Sequence, residues 1–377
     1  MKYYIIAGEA SGDLHGANLI GELKKLDTQA DIRAWGGDKM QSAGAVLVKH
    51  FKDLAFMGFV EVAMNIKTIL SNIAFCKKDI TAYNPDVLIL VDYPGFNLRI
   101  AKWAKSKGIK VIYYISPQVW AWKESRVKEM KKNIDKMLVI LPFEKTYFAE
   151  KWNWNVVYTG HPLVHIIEEF KNAEVQKLPY DKPVIALLPG SRKQEINKKL
   201  PIMLQVSKAF PEYQFVIAKA PAQEDAFYER FLQHHTNVST IKNETYKLLA
   251  NASAALVTSG TATLETALFE VPEVVCYKGN NISYMIAKKL IKVKFISLVN
   301  LIMDRMIVRE LIQDELTVRN LVTELNDLLH SDKRKAQLEK DYQELKSILS
   351  TGENASKNAA LEVWKMVQQF TTACNSE

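Results

Sequence analysis

The sequence predicts an α/β chain of two doubly wound, Rossmann-like domains facing a cleft, on three observations. Short, continuously apolar runs rich in Val, Ile and Tyr recur in both halves, stretches of helical length separate several of them, and the pattern breaks once before restarting. Helices cover both faces of a parallel sheet, so its strands have no solvent side and appear as unbroken apolar runs instead of alternations. In the first half these runs are Tyr3–Ala7, Val87–Val91, Val111–Ile115 and Met137–Leu141. Between Phe170 and Pro183 the chain turns polar, rich in Lys, Asn and Glu, with Pro179 and Pro183. Val184–Leu188, Phe215–Ala218, Ala254–Val257 and Val274–Tyr277 then renew the pattern, which places one domain over 1–170 and a second over 171–345. From about Val318 the periodicity is helical, and the segment 346–377 is left either to return to the first domain or to exchange with a partner subunit. In this architecture ligands bind in the crevice outside the carboxyl ends of the strands.

Composition narrows the classes. With 377 residues, 48% hydrophobic and 24% charged, the chain can fill two ordinary cores, which excludes disorder, collagen and a small disulfide scaffold. Cys76, Cys276 and Cys374 lie far apart without a C-x-x-C spacing, so they form neither a disulfide framework nor a zinc ribbon and fit a reducing cytoplasm. The opening apolar run meets Glu9 too soon for a signal peptide, and no run approaches the ~20 residues of a spanning helix, so any membrane role is expected to be peripheral. The formal charge of +8 favours an anionic partner without choosing among phosphate, nucleic acid and an acidic membrane surface.

Four strand-to-loop transitions hold the candidate chemistry. After the first run comes Gly8-Glu9-Ala10-Ser11-Gly12-Asp13, whose glycines let the backbone turn close to a ligand and whose Ser11 or Asp13 can equally cap the next helix. It is not G-x-G-x-x-G, so a dinucleotide fingerprint is unsupported. Asp92 opens Asp92-Tyr93-Pro94-Gly95-Phe96-Asn97 at the end of a buried strand, placed to act as a general base or to cap the helix behind it. Leu188-Pro189-Gly190-Ser191-Arg192 offers backbone N–H groups and a planar cation suited to a diphosphate, or else a plain helix start. Ser259-Gly260-Thr261-Ala262-Thr263-Leu264-Glu265 sets small hydroxyls over a helix N-terminus, with Glu265 a turn inside where ribose hydroxyls could meet it; a capping box would use Thr261 or Thr263 as well. His161 follows a strand in a glycine turn, in either a functional or a structural role. There is no Asp-x-Asp, H-E-x-x-H or P-loop pattern, so neither metal nor cofactor is expected.

One stretch looks outward as well as inward. From Phe59 to Phe75 a helix would carry Phe59, Val62, Ile66, Ile69, Leu70 and Ile73 on a broad apolar arc, widened by Val60 and Met64, opposite Glu61, Asn65, Thr68 and Asn72. Such a face either packs in the core or meets acyl chains, the latter helped by basic runs over 123–132 and 288–294 that suit anionic headgroups.

Taken together, Gly8 to Asp13, Met57-Gly58-Phe59-Val60-Glu61, Ser116-Pro117-Gln118-Val119-Trp120-Ala121-Trp122, Leu141-Pro142-Phe143-Glu144, Leu188 to Arg192 and Ser259 to Glu265, in this order over nearly the whole chain, resemble the lipid-A-disaccharide synthase family. The resemblance implies a GT-B glycosyltransferase that joins UDP-2,3-diacylglucosamine to 2,3-diacylglucosamine 1-phosphate, inverting the anomeric carbon and releasing UDP. It implies an acceptor-binding first half, a UDP-binding second half and peripheral association with the cytoplasmic face of the inner membrane, with no nucleic acid partner and with a homodimer left open. Asp92 then matches the family's essential carboxylate and becomes the base at the acceptor 6-hydroxyl, Arg192 meets the diphosphate, Asn300 in Ser297-Leu298-Val299-Asn300 lies in the same cleft, and Glu265 is the ribose partner. The chain departs from the family at Val299, where Pro is common, and at Gly95, where a second acidic residue is common; Gly95 leaves Asp92 without a competing carboxylate. Rival readings are another GT-B transferase, such as the N-acetylglucosaminyltransferase of the peptidoglycan lipid intermediate, and a non-catalytic nucleotide- or membrane-binding protein.

Overall fold

A computed structural model describes residues 1–53, 66–221, 223–233, 235–280, 293–352 and 354–374. The chain forms two compact units, Met1–Pro162 with Ser350–Glu377, and Leu163–Leu349.

The first unit runs β1 (Lys2–Ala7), α1 (Ala10–Leu26), β2 (Asp31–Gly36), α2 (Asp38–Ser42), β3 (Val46–His50), α3 (Ile66–Tyr83), β4 (Val87–Val91), α4 (Pro94–Ser106), β5 (Val111–Tyr114), α5 (Val127–Asn133), β6 (Lys136–Val139), α6 (Pro142–Trp152) and β7 (Val157–Tyr158). Its strands make one parallel sheet in the order β3-β2-β1-β4-β5-β6-β7. All of β4 and β5 is buried, as continuous apolar runs require. Residues on one sheet face pack with Ile73, Cys76 and Ile80 of α3, and those on the other with Leu19, Ile20 and Leu23 of α1.

The second unit follows from α7 (Pro162–Asn172) through β8 (Val184–Leu188), α8 (Lys193–Val206), β9 (Gln214–Lys219), α9 (Asp225–Leu232), β10 (Val238–Lys242), α10 (Thr245–Ala250), β11 (Ala252–Thr258), α11 (Thr261–Leu268), β12 (Glu273–Tyr277), α12 (Leu298–Met303), β13 (Arg309–Ile312), α13 (Val318–His330) and α14 (Asp332–Leu349). Its sheet is also parallel, ordered β10-β9-β8-β11-β12-β13. In each sheet the strand order reverses beside the unit's first strand, between β1 and β4 and between β8 and β11, the switch points where open α/β sheets place ligands.

The junction falls at Pro162–Leu163 rather than near 170, and the return at Ser350 rather than 346. Pro162 opens the connecting helix, a position its fixed φ suits, and the polar stretch read as the linker begins only at that helix's end. The last helix, α15 (Ala355–Cys374), joins the first unit: Ala359, Ala360, Val363, Met366 and Val367 complete the core over α1. Asn358 Nδ2 donates to Thr159 O at 3.1 Å and Lys136 Nζ pairs with Glu362 at 2.9 Å.

The helix expected over Phe59–Phe75 is described only from Ile66. Phe59, Val60 and Val62, like the Ile66 side chain and the basic residues 288–292, lie outside the described residues. Within α3 the core face is Ile69, Ile73, Cys76 and Ile80, whereas Leu70 is 55% exposed. Asn72, expected on the polar stripe, is buried and accepts from Lys49 Nζ at 2.8 Å. The arc was too broad to give the helix a unique phase, and the core took its 4-3-4 subset. Among the described residues no helix is long and apolar enough to cross a membrane.

Candidate active site

At the switch point of the first unit, β1 ends at Ala7 and β4 at Val91, paired side by side, so that Gly8 and Asp92 follow from adjacent strand ends. Asp92 and Tyr93 both adopt left-handed backbone, with φ of 45° and 51°. For residues with a Cβ this costs on the order of 1–3 kcal/mol each, so the surroundings must hold it. They do so through the Asp92 carbonyl, which accepts from Tyr113 Oη at 2.5 Å and from Asn97 Nδ2 at 2.8 Å, while the Asp92 N–H donates to Tyr114 O at 3.0 Å. Gly8 makes room for Tyr93: a Cβ there would stand 2.2 Å from the Tyr93 ring. The side chain of Asp92 is half-buried. Burial first, and then the charge of Glu9, raises its carboxyl to about 6, against the Tyr93 N–H that lowers it. Asp92 therefore ionises near neutrality and remains basic enough to take a proton, which suits a general base.

A second carboxyl lies within electrostatic reach. Glu144 on α6 is 1% exposed, and burial lifts it to about 8 although the Leu141 and Ile140 N–H groups and the Trp120 indole favour its charged form; Asp92 adds to the rise. Trp120 Nε1 donates to Glu144 Oε1 and the Leu141 N–H to Oε2, both at 3.1 Å. His161 is buried, and burial with His15 nearby holds it down at about 3, so it is neutral at physiological pH.

At the switch point of the second unit the turn after β8 uses glycine. Gly190 has φ +113°, and a Cβ would stand 2.7 Å from Glu195 Oε2. Ser191 and Arg192 are exposed at the start of α8, where Arg192 pairs loosely with Glu195 at 3.4 Å. Beneath them Lys199, 2% exposed, hydrogen-bonds Thr258 Oγ1 at the end of β11 and lies 3.9 Å from Glu195. Burial lowers its pKa, against the charge of Glu195. After β11, Ser259 Oγ donates to Ile296 O at 2.8 Å, Gly260 (φ +139°) caps α11, and Thr261 is exposed at the helix start. Glu265 is half-buried, accepts from Tyr246 Oη at 3.0 Å, and is raised by burial against that hydrogen bond.

A model of the lipid-A-disaccharide synthetase family matches residues 3–364. The lipid-A-disaccharide synthase of Coxiella burnetii is 37% identical over 371 residues, covering 96% of this chain and 98% of its own. The chain belongs to the lipid-A-disaccharide synthetase family. Membership makes it a glycosyltransferase of lipid A biosynthesis. Two solved structures share the two-domain GT-B fold at low identity: UDP-GlcNAc 2-epimerase from Neisseria meningitidis bound to UDP-GlcNAc (TM-score 0.65, 14% identity, 98% of this chain and 100% of that one) and the glycosyltransferase of kitacinnamycin (TM-score 0.65, 13% identity, 97% and 99%).

Against this synthetase fold the site residues read from sequence divide. Gly8, Glu9 and Asp92 meet at one switch point, as Gly190, Ser191, Arg192, Ser259, Gly260, Thr261 and Glu265 gather around the other. Ser11 is exposed on the first turn of α1, and Gly12 is buried against Ala7. Three residues do other work. Asp13 is 4% exposed, its oxygens accepting from the N–H groups of Gly37 (2.7 Å), Met40 (3.1 Å) and Lys39 (3.2 Å), so it caps α2 instead of facing a ligand. Thr263 is wholly buried and donates to Gly260 O within its own turn. Asn300, expected in the cleft, is wholly buried: Oδ1 accepts from the N–H groups of Ile307 and Val308, and Nδ2 donates to Val308 O and to Glu310, which also accepts from Ser297. Its hydrogen-bonding capacity is spent inside the unit.

Sequence reasoning gave no role to Tyr113, Asn97, Glu144 or Lys199. Tyr113 lies inside an apolar run, Asn97 on a helix, and Lys199 in a lysine pair whose partner Lys198 is exposed, so none carried a pattern that set it apart. Glu144 was quoted in a motif, where its place three residues after Leu141 marks a helix start rather than chemistry.

Proposed function

We propose that this synthetase transfers 2,3-diacylglucosamine from UDP to the 6-hydroxyl of 2,3-diacylglucosamine 1-phosphate, with inversion at the anomeric carbon. The first unit takes the acceptor and the second the UDP-sugar. Asp92 accepts the 6-hydroxyl proton as the oxygen bonds to the anomeric carbon and the bond to UDP breaks, its electron pair leaving with the diphosphate. Arg192 and the amino ends of α8 and α11 receive that charge, and Glu265 engages the ribose hydroxyls. The observation that carries the reading is the strained, half-buried Asp92 carboxyl, poised at about 6 at the carboxyl end of a central strand. Association with the cytoplasmic face of the inner membrane is part of the proposal, supported by Leu70 and Phe75, which are 55% and 46% exposed on α3.

The test is mass spectrometry of the products formed from UDP-2,3-diacylglucosamine and 2,3-diacylglucosamine 1-phosphate, with a chelator present. The tetraacyl disaccharide 1-phosphate is expected. Efficient use of unacylated UDP-N-acetylglucosamine in place of the acylated donor would sink the assignment and favour the peptidoglycan-type transferase.

A further inference from the structure

We propose that a cavity between α4 and α5 of the first unit is the seat of a phosphate monoester, held by Arg99 and Arg126, and that the phosphate is the one on the acceptor sugar. The proposal rests on the acceptor assignment above and adds to it a subsite and two specificity residues.

The cavity encloses about 400 Å³, within the range of small-molecule sites. Its wall begins at Pro94 and Gly95, immediately after Asp92 and Tyr93, and continues through Arg99, Ser125 and Arg126. Nothing lies within 4 Å of the place a Gly95 Cβ would take, so a side chain absent at this position leaves the wall open on the side nearest the base. Arg126 is close enough for its charge to act on Tyr113, the tyrosine whose hydroxyl binds the Asp92 carbonyl. The cavity thus begins two residues beyond the proposed base, at the start of α4.

Its charge is unbalanced. Lys102 on the wall is matched by Glu129 at 3.5 Å, and neighbouring Lys105 by Asp135. Among the described residues Arg99 and Arg126 make neither an ion pair nor a side-chain hydrogen bond, although Arg126 is half-buried. A guanidinium taken partly out of water without an acceptor is unfavourable, and its planar fork matches a phosphate better than any other side chain does. Two such forks lining one cavity from its two sides, with Ser125 beside Arg126 in the chain, fit a dianionic phosphate monoester. An acceptor sugar with its 6-hydroxyl at Asp92 must extend its anomeric end away from that carboxylate, and a subsite on the neighbouring wall would hold the phosphate there.

A phosphate could also come from a bilayer lipid. A second cavity of about 490 Å³ shares Arg99, Lys102 and Asn133 with the first and adds Lys77 and Lys105, but not Arg126. A headgroup entering that way would depend on Arg99 and Lys77, whereas the acceptor phosphate depends on Arg99 and Arg126, and this difference separates the two sources.

The experiment compares 2,3-diacylglucosamine 1-phosphate with its dephosphorylated form as acceptors, reading kcat/KM for each with the full chain. The ratio should fall by about tenfold to hundredfold in Arg126→Gln and in Arg99→Gln, the range expected for a lost charge-assisted contact. Arg126→Lys should recover part of it, Lys77→Gln should leave it unchanged, and inorganic phosphate should compete with the acceptor in the parent protein more strongly than in Arg126→Gln. Arg99 is exposed, so its variant should fold even if that of Arg126 does not. An unchanged ratio in both arginine variants would overturn the proposal. So would a loss confined to binding of vesicles containing phosphatidic acid, shared by Arg99→Gln and Lys77→Gln. If the parent protein forms no disaccharide from either acceptor, the functional reading itself fails, an outcome distinct from disaccharide formation that is indifferent to the arginines.

Discussion

Both units reverse strand order beside their first strand, yet the two switch points absorb backbone strain in different ways. In the two loops at the second unit's switch point, after β8 and β11, the positive-φ positions are Gly190 and Gly260, residues with no Cβ to oppose φ of +113° and +139°. In the first they are Asp92 and Tyr93, at 45° and 51°, where a side chain makes the same region costly. The contrast agrees with the roles proposed for the two loops. Binding a diphosphate requires backbone N–H groups and a nearby cation, so glycine can supply the turn. On the role proposed for Asp92, removing a proton requires a carboxylate at one fixed point, so that residue would also bear the strain, and Tyr113 and Asn97 hold its carbonyl.

The largest expected effect breaks the first side of this contrast. Asp92→Asn should lower kcat/KM by about 10²–10⁴, the usual contribution of a general base, while keeping the fold, because Asn tolerates left-handed backbone and the Asp92 contacts holding the turn are main-chain. Since burial raises the folded pKa of Asp92, the carboxyl favours the folded state at low pH and loses that contribution as pH rises through about 6. The variant's melting temperature at pH 7.5 should therefore equal or exceed that of the parent. Retained turnover would remove Asp92 from the mechanism.

Next in size is Asn300→Ala, which should destabilise the protein by about 3 kcal/mol through buried donors and acceptors left without partners, read as a lower midpoint in thermal denaturation with kcat retained where the protein is folded. A loss of turnover at unchanged stability would return Asn300 to the substrate. Smaller still is Arg192→Ala: the side chain is exposed, so UDP affinity measured by calorimetry should fall only about tenfold, and Arg192→Lys should recover part of it. No change in UDP affinity would leave the diphosphate to Lys199 and the helix N-termini.

Most inner strands were legible in the sequence and the edge strands were not, and inner β2 was missed because Asp31 and Arg33 interrupt its apolar residues. β4, β5, β8 and β11 stand at or next to the switch points, are covered on both faces and read as apolar runs. β3 and β10, at the sheet edges, are largely half-buried, with sequences VLVKH and VSTIK that mix polar and apolar residues without a clean period. The loops at the carboxyl ends of the central strands were legible for the same reason, because an apolar run locates its own end. Which residues in those loops face a ligand was not. Asp13 and Asn300 are polar residues in the first turns of helices that follow such loops, and only the packing shows that Asp13 is satisfied by backbone N–H groups at the start of α2 and Asn300 by the turn into β13 and Glu310. The His161 imidazole likewise sits after a glycine turn, and burial rather than sequence decides its neutrality.

The smallest expected effect is the sharpest test of how the first switch point is tuned. If Asp92 is the base, kcat/KM should fall about tenfold per pH unit below a pH near 6, since only the ionised carboxylate accepts a proton. Burial is the larger cause of that value and Glu9 the second. Glu9→Gln removes the repulsive charge and leaves the burial, so Asp92 should ionise more readily and the acid limb should move to lower pH, by less than about one unit, equivalent to less than about 1.4 kcal/mol. Turnover at pH 7.5 should fall slightly, because a weaker base drives proton transfer less. An acid limb that stays in place would mean that Glu9 does not tune the group being titrated. A limb that moves to higher pH is a shift that loss of a neighbouring negative charge does not produce, and it would show that Glu9 does not raise the Asp92 carboxyl through its charge.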